Sequence, residues 1–284
     1  QSSVVIVSPI SGGPAEAVGI KGGDKIIKVD GVSIIGMTLT EAINLIRGPE
    51  GTSVLLTIER LGDFEPIEIK VTRAKIEQPS VNSDLVPDTK YVKIRINQYT
   101  ESTPKELSDA FTEAINEENA QGIILDLRNN PGGLLGSAVD STSLFLDSGV
   151  VTFEIDAKGR KTLWNVNGEI GKFSKIPMVT LVNGNSASGS EVMAGALQDY
   201  GRSVVIGEKT YGKGSVSLVR SLSNGGGMFL TNAHWFTPNG RAIHDIGIDP
   251  DVVVELPDAS SKAADFYDNQ IEAAITQLNF ETKD

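Results

Sequence analysis

The sequence predicts an α/β protein in two parts, a small β-rich domain followed by an α/β core with a mixed sheet and flanking helices. Its length of 284 residues suggests about two domains. Short strand patterns crowd the first 75 residues, whereas strand and helix patterns alternate beyond residue 90. Residues 76–87 are polar and contain two prolines, which is typical of a linker between the two parts.

The first part is predicted to contain short strands and one helix. The strand patterns lie at Val4–Val7, Lys25–Val29, Val54–Arg60 and Ile67–Val71. Asp30–Gly31 follows the second of these strands as a two-residue hairpin signal. Thr38–Glu41 has the pattern of a capping box at the start of a helix, which Gly48–Pro49 ends.

The second part is predicted to alternate strands and helices, which indicates a partly parallel sheet. The predicted strands are Tyr91–Ile96, Gly122–Leu127, Met178–Val182 and Ser203–Gly207, followed by hairpin-like strands at Val216–Val219 and Gly227–Phe236. The predicted helices are Thr103–Glu118, a helix from the loop at 129–133 to Leu146, Ser188–Leu197, and a C-terminal helix with Ile271, Ala274, Ile275 and Leu278 on one face. The predicted domain boundaries are residues 1–75 and 76–257, with a polar linker and C-terminal helix at 258–284.

The composition excludes several classes of function. With 25 Lys and Arg against 37 Asp and Glu, the formal net charge is −12, which argues against nucleic acid or an anionic membrane as a partner. No apolar run approaches the ~20 residues that a membrane span needs. The absence of cysteine excludes disulfides, thiolate metal ligands and a cysteine nucleophile, and two histidines leave little for a metal site. We therefore expect no metal and no cofactor.

Three glycine-containing loops follow apolar strands and are candidates for a functional site. They are Asn129–Gly133, Asn183–Glu191 and Thr210–Gly214. Function in open α/β sheets gathers at the carboxyl ends of the strands, so three such loops at one end of a sheet predict a site. The second loop carries Ser186, Ser188 and Ser190 at a strand-to-helix junction. A serine there can cap the helix, or can expose its hydroxyl beside helix N-terminal amides as a nucleophile.

A serine nucleophile needs a base, and the sequence offers two kinds. Lys213 lies between Gly212 and Gly214, where close backbone packing favours burial, and burial favours the neutral amine that can take a proton. His234 and His244 are the alternatives for a Ser-His hydrolase, although no serine lies in a G-x-S-x-G motif.

The segment Gly207–Lys213 is a near miss to a phosphate-binding P-loop. That motif needs Ser or Thr directly after the lysine and then a helix. Here Gly214 and a strand pattern follow, so the sequence argues against nucleotide binding.

Taken together, these residues resemble the C-terminal processing (tail-specific) protease family over nearly the whole chain. The first part resembles a PDZ module, and the matching segments are Ser8–Pro9, Pro14–Ala15, Gly22–Ile27, Asp30–Gly31, Arg47–Thr52 and Thr57–Arg60. The protease core is matched at Leu125–Gly133, Ser186–Ser188, Glu191, Ala194–Asp199, Gly207–Glu208, Thr210–Gly214, Thr237–Arg241 and Gly247–Asp251. The number and order of these matches make the resemblance specific.

The resemblance implies a Ser-Lys endopeptidase. The family separates its serine and lysine by 25 residues, and 213 − 188 = 25 selects Ser188 as nucleophile and Lys213 as general base. The implied oxyanion hole consists of the amide of Gly189 and a glycine amide of the preceding loop, with Gly133 preferred over Gly132. Such amides are commonly worth ~3 kcal/mol each.

The resemblance also assigns supporting residues, with one departure. The family usually has Gln four residues after the lysine, where it helps to orient the amine, and this chain has Ser217 there. Glu191 and Asp199 match family positions near the site as supporting residues, or are solvated helix charges. Arg47 is a candidate link between PDZ module and core, or a cation at a helix C-terminus.

The implied function is cleavage of unfolded or C-terminally exposed protein tails, regulated by the PDZ module, in the periplasm or another extracytoplasmic compartment. The candidate partners are polypeptide substrates, an adaptor or activator protein, and a second copy of the chain. The family's carboxylate-binding loop lies upstream of the first strand, so the PDZ module is expected to be N-terminally truncated here. The alternative is a catalytically inactive, PDZ-containing peptide-binding scaffold, which the departure at Ser217 motivates.

Overall fold

The computed structural model describes residues 4–10, 13–75, 79–221, 226–256 and 268–282, without the side chains of residues 217–219, 221 and 229. The chain divides into two compact units, residues 1–78 and residues 79–284.

The N-terminal unit is a small antiparallel sheet with two helices. Its elements are β1 (Val4–Val5), α1 (Pro14–Ala17), β2 (Lys25–Val29), β3 (Val32–Ser33), α2 (Leu39–Ile46), β4 (Ser53–Glu59) and β5 (Ile67–Thr72). The strand order is β1-β2-β4-β5, and β3 pairs with β2. Asp30 and Gly31 both have positive φ, as a tight hairpin of the predicted kind requires. The capping box is confirmed, because Thr38 Oγ1 accepts from the Glu41 amide and the Glu41 carboxylate accepts from the Thr38 amide.

The C-terminal unit contains two sheets and four helices in its described residues. Its strands are β6 (Val81–Leu85), β7 (Tyr91–Ile96), β8 (Gly122–Asp126), β9 (Val150–Asp156), β10 (Lys161–Asn165), β11 (Met178–Val182), β12 (Val204–Gly207), β13 (Ser215–Ser221), β14 (Gly227–Phe236) and β15 (Val252–Val253). Its helices are α3 (Thr103–Asn116), α4 (Leu135–Ser143), α5 (Gly189–Asp199) and α6 (Asn269–Glu281). One sheet has the order β15-β12-β11-β8-β7-β6, and the other has the order β10-β9-β14-β13.

The larger sheet is parallel except for the antiparallel pair β6–β7, so the predicted α/β fold with a mixed sheet is confirmed. Its two faces are covered by different helices. In β8, Ile123 and Leu125 belong to the core cluster under α3, α4 and α5, whereas Ile124 belongs to the cluster under α6. The period of two along a strand explains why this strand is apolar at every central position.

Several predicted elements differ from those observed. Part of the predicted linker is the edge strand β6, in which only Val81 is buried, so its formation depends on main-chain pairing with β7 rather than on apolar alternation. The strands β9 and β10 were not predicted. Helix α4 ends at Ser143 rather than Leu146, because the next turn tightens to bonds such as Phe145 N–H to Thr142 C=O. The predicted C-terminal helix packs against the sheet through Ala274, which lies on its predicted apolar face.

The described residues contain neither a membrane-spanning helix nor a cluster of metal ligands. Of the helices in the described ranges, none is both long enough and apolar enough to cross a bilayer. No group of three or more His, Asp or Glu side chains in the same ranges is arranged to hold a metal ion.

Candidate active site

The three candidate loops leave the same edge of the larger sheet, as predicted. In the parallel register, Leu181 of β11 pairs with Asp126 of β8, and Val182 pairs with Gly207 of β12. The strands therefore end side by side, and the loops that follow them are neighbours.

Asn130 joins the first loop to the second. Its fully buried side chain donates to the carbonyl of Ile96 and accepts from the Gly132 amide, both at 2.9 Å. Its own carbonyl accepts from the Ala187 amide and from Ser190 Oγ, both at 3.0 Å. These bonds fix the glycine loop against the start of α5.

The structure distinguishes the three serines of the second loop. Ser186 Oγ donates to the carbonyl of Leu127 at 2.8 Å, and Ser190 Oγ donates to the carbonyl of Asn130 at 3.0 Å. Both serines are fully buried and serve the framework. Ser188 lies at the N-cap position of α5, and its hydroxyl donates no hydrogen bond within the described residues. The capping serine and the candidate nucleophile are therefore the same residue.

Ser188 has a strained backbone conformation. Its φ is 55° and its ψ is −114°, a region that non-glycine residues rarely adopt and that costs about 1–3 kcal/mol. This is a sharp strand-to-helix turn of the kind that exposes a nucleophile, although the G-x-S-x-G motif is absent. The small residue that such a turn needs comes from the first loop: a Cβ on Gly132 would lie 2.6 Å from Ser188 Cβ and 2.9 Å from the Gly189 nitrogen.

Two main-chain N–H groups near Ser188 have no acceptor in the described part of the chain, and they belong to Gly133 and Gly189. The Gly132 N–H is bonded to the side chain of Asn130, and the Gly132 carbonyl accepts from the Tyr99 amide at 2.9 Å. Of the two glycines proposed for the first loop, Gly133 is therefore the one with a free donor.

Glu191 connects the second loop to the third. Its fully buried carboxylate accepts four hydrogen bonds: from the Ser188 amide (2.8 Å), Thr210 Oγ1 (2.7 Å), the Gly212 amide (2.6 Å) and the Lys213 amide (2.9 Å). Four donors and no acceptor suit an ionised carboxylate, which can only accept. Because one oxygen accepts from both amides, the main-chain nitrogens of Ser188 and Lys213 are at most 5.7 Å apart, the sum of those two distances. Glu191 is thus a buried bridge and not a solvated helix charge.

Lys213 is placed beside Ser188 through its main chain, but its side chain is exposed. Its Nζ makes no hydrogen bond or ion pair to the described residues. The expectation that the flanking glycines bury the lysine is wrong for this conformation, since they bury only the backbone. A Cβ on Gly212 would meet the 245–247 backbone, and a Cβ on Gly214 would lie 2.3 Å from the His244 nitrogen. The Ser217 side chain lies outside the described part of the structure, and its backbone, in β13, pairs with Thr231 of β14.

The two histidines lie together, and the backbone of His244 packs against Gly214 of the lysine loop. The rings of His234 and His244 are 4.3 Å apart between centroids, and the Nδ1 atom of each is buried without a partner in the described residues. His244 Nε2 is 3.5 Å from the carboxylate of Asp245. Neither ring is hydrogen-bonded to Ser188 among the described contacts, so the structure lends no support to either histidine as its base.

Two other predicted residues lie elsewhere. Asp199 is at the opposite end of α5, about 16 Å from Ser188 at 1.5 Å rise per residue, and its carboxylate binds Arg241 and the Asn239 amide. Arg47 is exposed at the end of α2 in the N-terminal unit. The cation that serves the C-terminal carbonyls of this helix is Arg73, which was not predicted.

Sequence reasoning assigned no role to Thr210 or Asn130. Thr210 Oγ1 donates to Glu191 and accepts from the Ile248 amide at 2.7 Å, and Thr210 is buried. Both residues lie in loops that the glycine pattern had identified, so the available signal was a small polar residue beside a glycine. That signal cannot distinguish a framework residue from a turn residue.

Two family models match the chain. The model described as peptidase family S41 matches residues 90–254, and the model described as PDZ domain matches residues 5–60. The carboxy-terminal-processing protease of Bartonella bacilliformis is 41% identical over 260 residues, which cover 89% of this chain and 59% of that protein. The carboxy-terminal processing protease CtpA of Bacillus subtilis is 42% identical over 256 residues, which cover 90% of this chain and 54% of that protein.

A similar solved structure is that of the photosystem II D1 C-terminal processing protease. It is 33% identical with a TM-score of 0.58, covering 90% of this chain and 70% of that chain. The chain spans between half and two thirds of the length of the two curated relatives.

Proposed function

Because the chain belongs to peptidase family S41 and carries a PDZ domain, we propose that it is a serine endopeptidase that cleaves polypeptides with exposed C-terminal tails. The matches to the two family models and to the curated relatives confirm the family resemblance found in the sequence. The names of its relatives, carboxy-terminal processing proteases, support the class of substrate. The PDZ domain regulates this activity by binding an extended peptide as an added strand, and the protein works in an extracytoplasmic compartment.

The observation that carries the proposal is the Ser188 hydroxyl, which donates no hydrogen bond within the described residues, close to the Gly133 and Gly189 amides, which have no acceptor there. Ser188 Oγ attacks the scissile carbonyl carbon, and the proton leaves Oγ for the neutral amine of Lys213. The carbonyl oxygen becomes an oxyanion that accepts hydrogen bonds from the Gly133 and Gly189 amides. As the C–N bond breaks, Lys213 returns the proton to the leaving amine. Water then hydrolyses the acyl-enzyme by the same steps in reverse order, with Lys213 again as base.

Lys213 can act as a base only when its amine is neutral, and burial favours the neutral amine. Its side chain is exposed here, whereas Glu191 already holds its main chain within 5.7 Å of the Ser188 nitrogen. A bound polypeptide that covers the Lys213 side chain removes it from water. We therefore infer that substrate binding completes the activation of Lys213, because it buries the amine that must accept the proton of Ser188.

The test is cleavage of a disordered protein with a free C-terminus, compared with the same substrate amidated at its C-terminus. Ser188→Ala and Lys213→Ala each reduce kcat/KM at least about 10³-fold, because nucleophile and base act as a unit. Lys209→Ala is the matched control, since Lys209 is an exposed lysine on the same loop whose ion pair in the described ranges is with Asp249. Cleavage that survives Ser188→Ala or Lys213→Ala refutes the dyad, and equal cleavage of both substrates refutes recognition of the tail.

A further inference from the structure

A buried ion network lies at the base of the glycine loop. Arg128, which lies two residues beyond the end of β8 and is 7% exposed, donates from Nε and Nη2 to the two carboxylate oxygens of Asp126, both at 2.9 Å. Asp126 is fully buried at the end of β8. This bidentate pair fixes the plane of the guanidinium relative to the strand.

The other edge of the same guanidinium is occupied by the C-terminal helix. Arg128 Nη1 donates to both oxygens of Asp268, at 2.9 and 2.8 Å, and to Gln270 Oε1 at 3.0 Å. Asp268 is the N-cap of α6, where it accepts from the Ile271 amide at 3.1 Å. Gln270 is fully buried and donates to the carbonyl of Val254 at 2.7 Å.

Arg128 passes this restraint to the loop through the main chain. The Arg128 carbonyl accepts from Arg95 Nη2 at 3.1 Å, and the next residue, Asn129, has a φ of 60° and donates its amide to Asn183 Oδ1 at 3.0 Å. Gly133 lies four residues after Asn129, and its main-chain N–H is one of the two free donors near Ser188. Without the charge of Asp268, the buried guanidinium keeps its pair with Asp126 but loses the charged acceptor on its Nη1 edge, so it shifts, and its backbone belongs to the loop.

We propose that α6 is a working part of the active site: Asp268 and Gln270 act through Arg128 to position the Gly133 amide for the oxyanion. They are positioning residues that touch no substrate, and the inference rests on the proposed function of Gly133. Helix α6 lies beyond residues 90–254, the span that the peptidase family model matches, so family membership alone does not imply this role.

The test compares Asp268→Asn with Asn279→Ala in the full chain. Asparagine caps a helix as well as aspartate does, so Asp268→Asn keeps the start of α6 and removes only the charge that faces Arg128. Asn279→Ala loosens the other end of the same helix, where the Asn279 side chain accepts from Tyr91 at 2.9 Å. Asp268→Asn lowers kcat roughly ten-fold or more with KM within about two-fold, because a misplaced donor weakens only the transition state. Asn279→Ala leaves both constants unchanged.

Two further readouts separate positioning from stability. The inhibition constant of a substrate-like peptide aldehyde, whose bound form carries the oxyanion, rises in Asp268→Asn by the same factor as kcat falls. Hydrogen exchange of the 127–134 segment becomes faster in Asp268→Asn and not in Asn279→Ala. Equal kcat and equal exchange in the two variants overturn the inference and leave the dyad intact. If Ser188→Ala retains cleavage, the proposed function fails, and the exchange measurement still decides whether α6 holds the loop.

Discussion

The four-donor environment of Glu191 makes Glu191→Gln the most informative single substitution. Glutamine has the shape of glutamate, but its amide group presents one acceptor and one donor where the carboxylate presented two acceptors. Whichever way the amide is oriented, two of the four donors lose their acceptor and face an N–H group instead. In one orientation these are the amides of Ser188 and Lys213, and in the other they are Thr210 Oγ1 and the Gly212 amide.

The magnitude follows from the number of bonds lost. Hydrogen bonds to a charged group contribute about 1.5–3 kcal/mol each, so two of them amount to about 3–6 kcal/mol. Relief from burying a charge offsets part of this loss, and we expect a destabilisation of about 3 kcal/mol. For a unit of this size that lowers Tm by about 6–12 °C. Cleavage falls as well, since the same bonds hold the serine turn against the lysine loop.

The assay combines thermal unfolding with hydrogen exchange at the Gly212 and Lys213 amides, which Glu191 protects in the parent protein. Glu113→Gln is the control, because Glu113 is an exposed glutamate on α3 and the substitution removes the same charge. The reasoning is refuted if Glu191→Gln matches Glu113→Gln in Tm, amide exchange and cleavage rate. Glu191 would then be a solvated helix charge.

Two further substitutions test the close packing of the site and the pH dependence of the N-terminal unit. Gly132→Ala places a Cβ 2.6 Å from Ser188 Cβ at a φ of 100°, so we expect a loss of about 2–4 kcal/mol in stability and at least a 10²-fold loss of cleavage. The Arg60 guanidinium, hydrogen-bonded to Asp24, holds the pKa of that buried carboxyl below its ordinary value. The folded-state pKa is the lower one, so this stabilisation is present above the unfolded pKa of about 3.9 and is lost as pH falls through the folded value. Asp24→Asn therefore lowers stability by about 2 kcal/mol at neutral pH, and parent and variant converge in acid.

Each of these substitutions has a matched control in the same unit. Gly136 lies in α4, and a Cβ added there would have no atom within 4 Å, so Gly136→Ala is expected to leave cleavage unchanged. Equal activity of Gly132→Ala and Gly136→Ala would contradict the packing argument. Asp63→Asn removes an exposed carboxylate close to Arg60 in sequence. A stability difference for Asp24→Asn that stays constant from neutral pH to about pH 3 would contradict the ion-pair argument, as would an equal effect of Asp63→Asn.

The sequence predicted those parts of the fold that local patterns determine. The apolar run around Ile124 identified a doubly covered strand, and the Thr38–Glu41 box located the start of a helix. The edge strand β6 could not be predicted, because its residues after Val81 are exposed and it is held by main-chain bonds to β7. The end of α4 was misplaced for a similar reason, since a tightened turn leaves no mark in the apolar pattern.

The site was predictable at the level of loops and less so at the level of contacts. The three glycine-containing loops predicted that Ser188 and Lys213 lie at one edge of the sheet. The 25-residue interval between serine and lysine in the family then selected Ser188 from the three serines. The roles of Ser186 and Ser190 as framework residues depend on carbonyls that are distant in sequence. The role of Glu191 also depends on groups distant in sequence, because the donors that bind its carboxylate lie between residues 188 and 213. The burial of Lys213 was predicted wrongly, because glycines on either side say how closely the backbone packs and nothing about where the side chain points.

Three of the four bonds to Glu191 come from main-chain amides, and every residue except proline carries such an amide. The framework that joins the serine turn to the lysine loop is therefore indifferent to the side chains at positions 188 and 213. Substitution of Lys213 therefore changes the chemistry and leaves these bonds in place, whereas substitution of Ser188 leaves the same bonds and also removes the side chain at the N-cap position of α5. Because these main-chain bonds do not depend on the side chain at position 188, Ser188→Cys would place a thiol nucleophile there. The sequence contains no other cysteine, so this thiol could be labelled selectively.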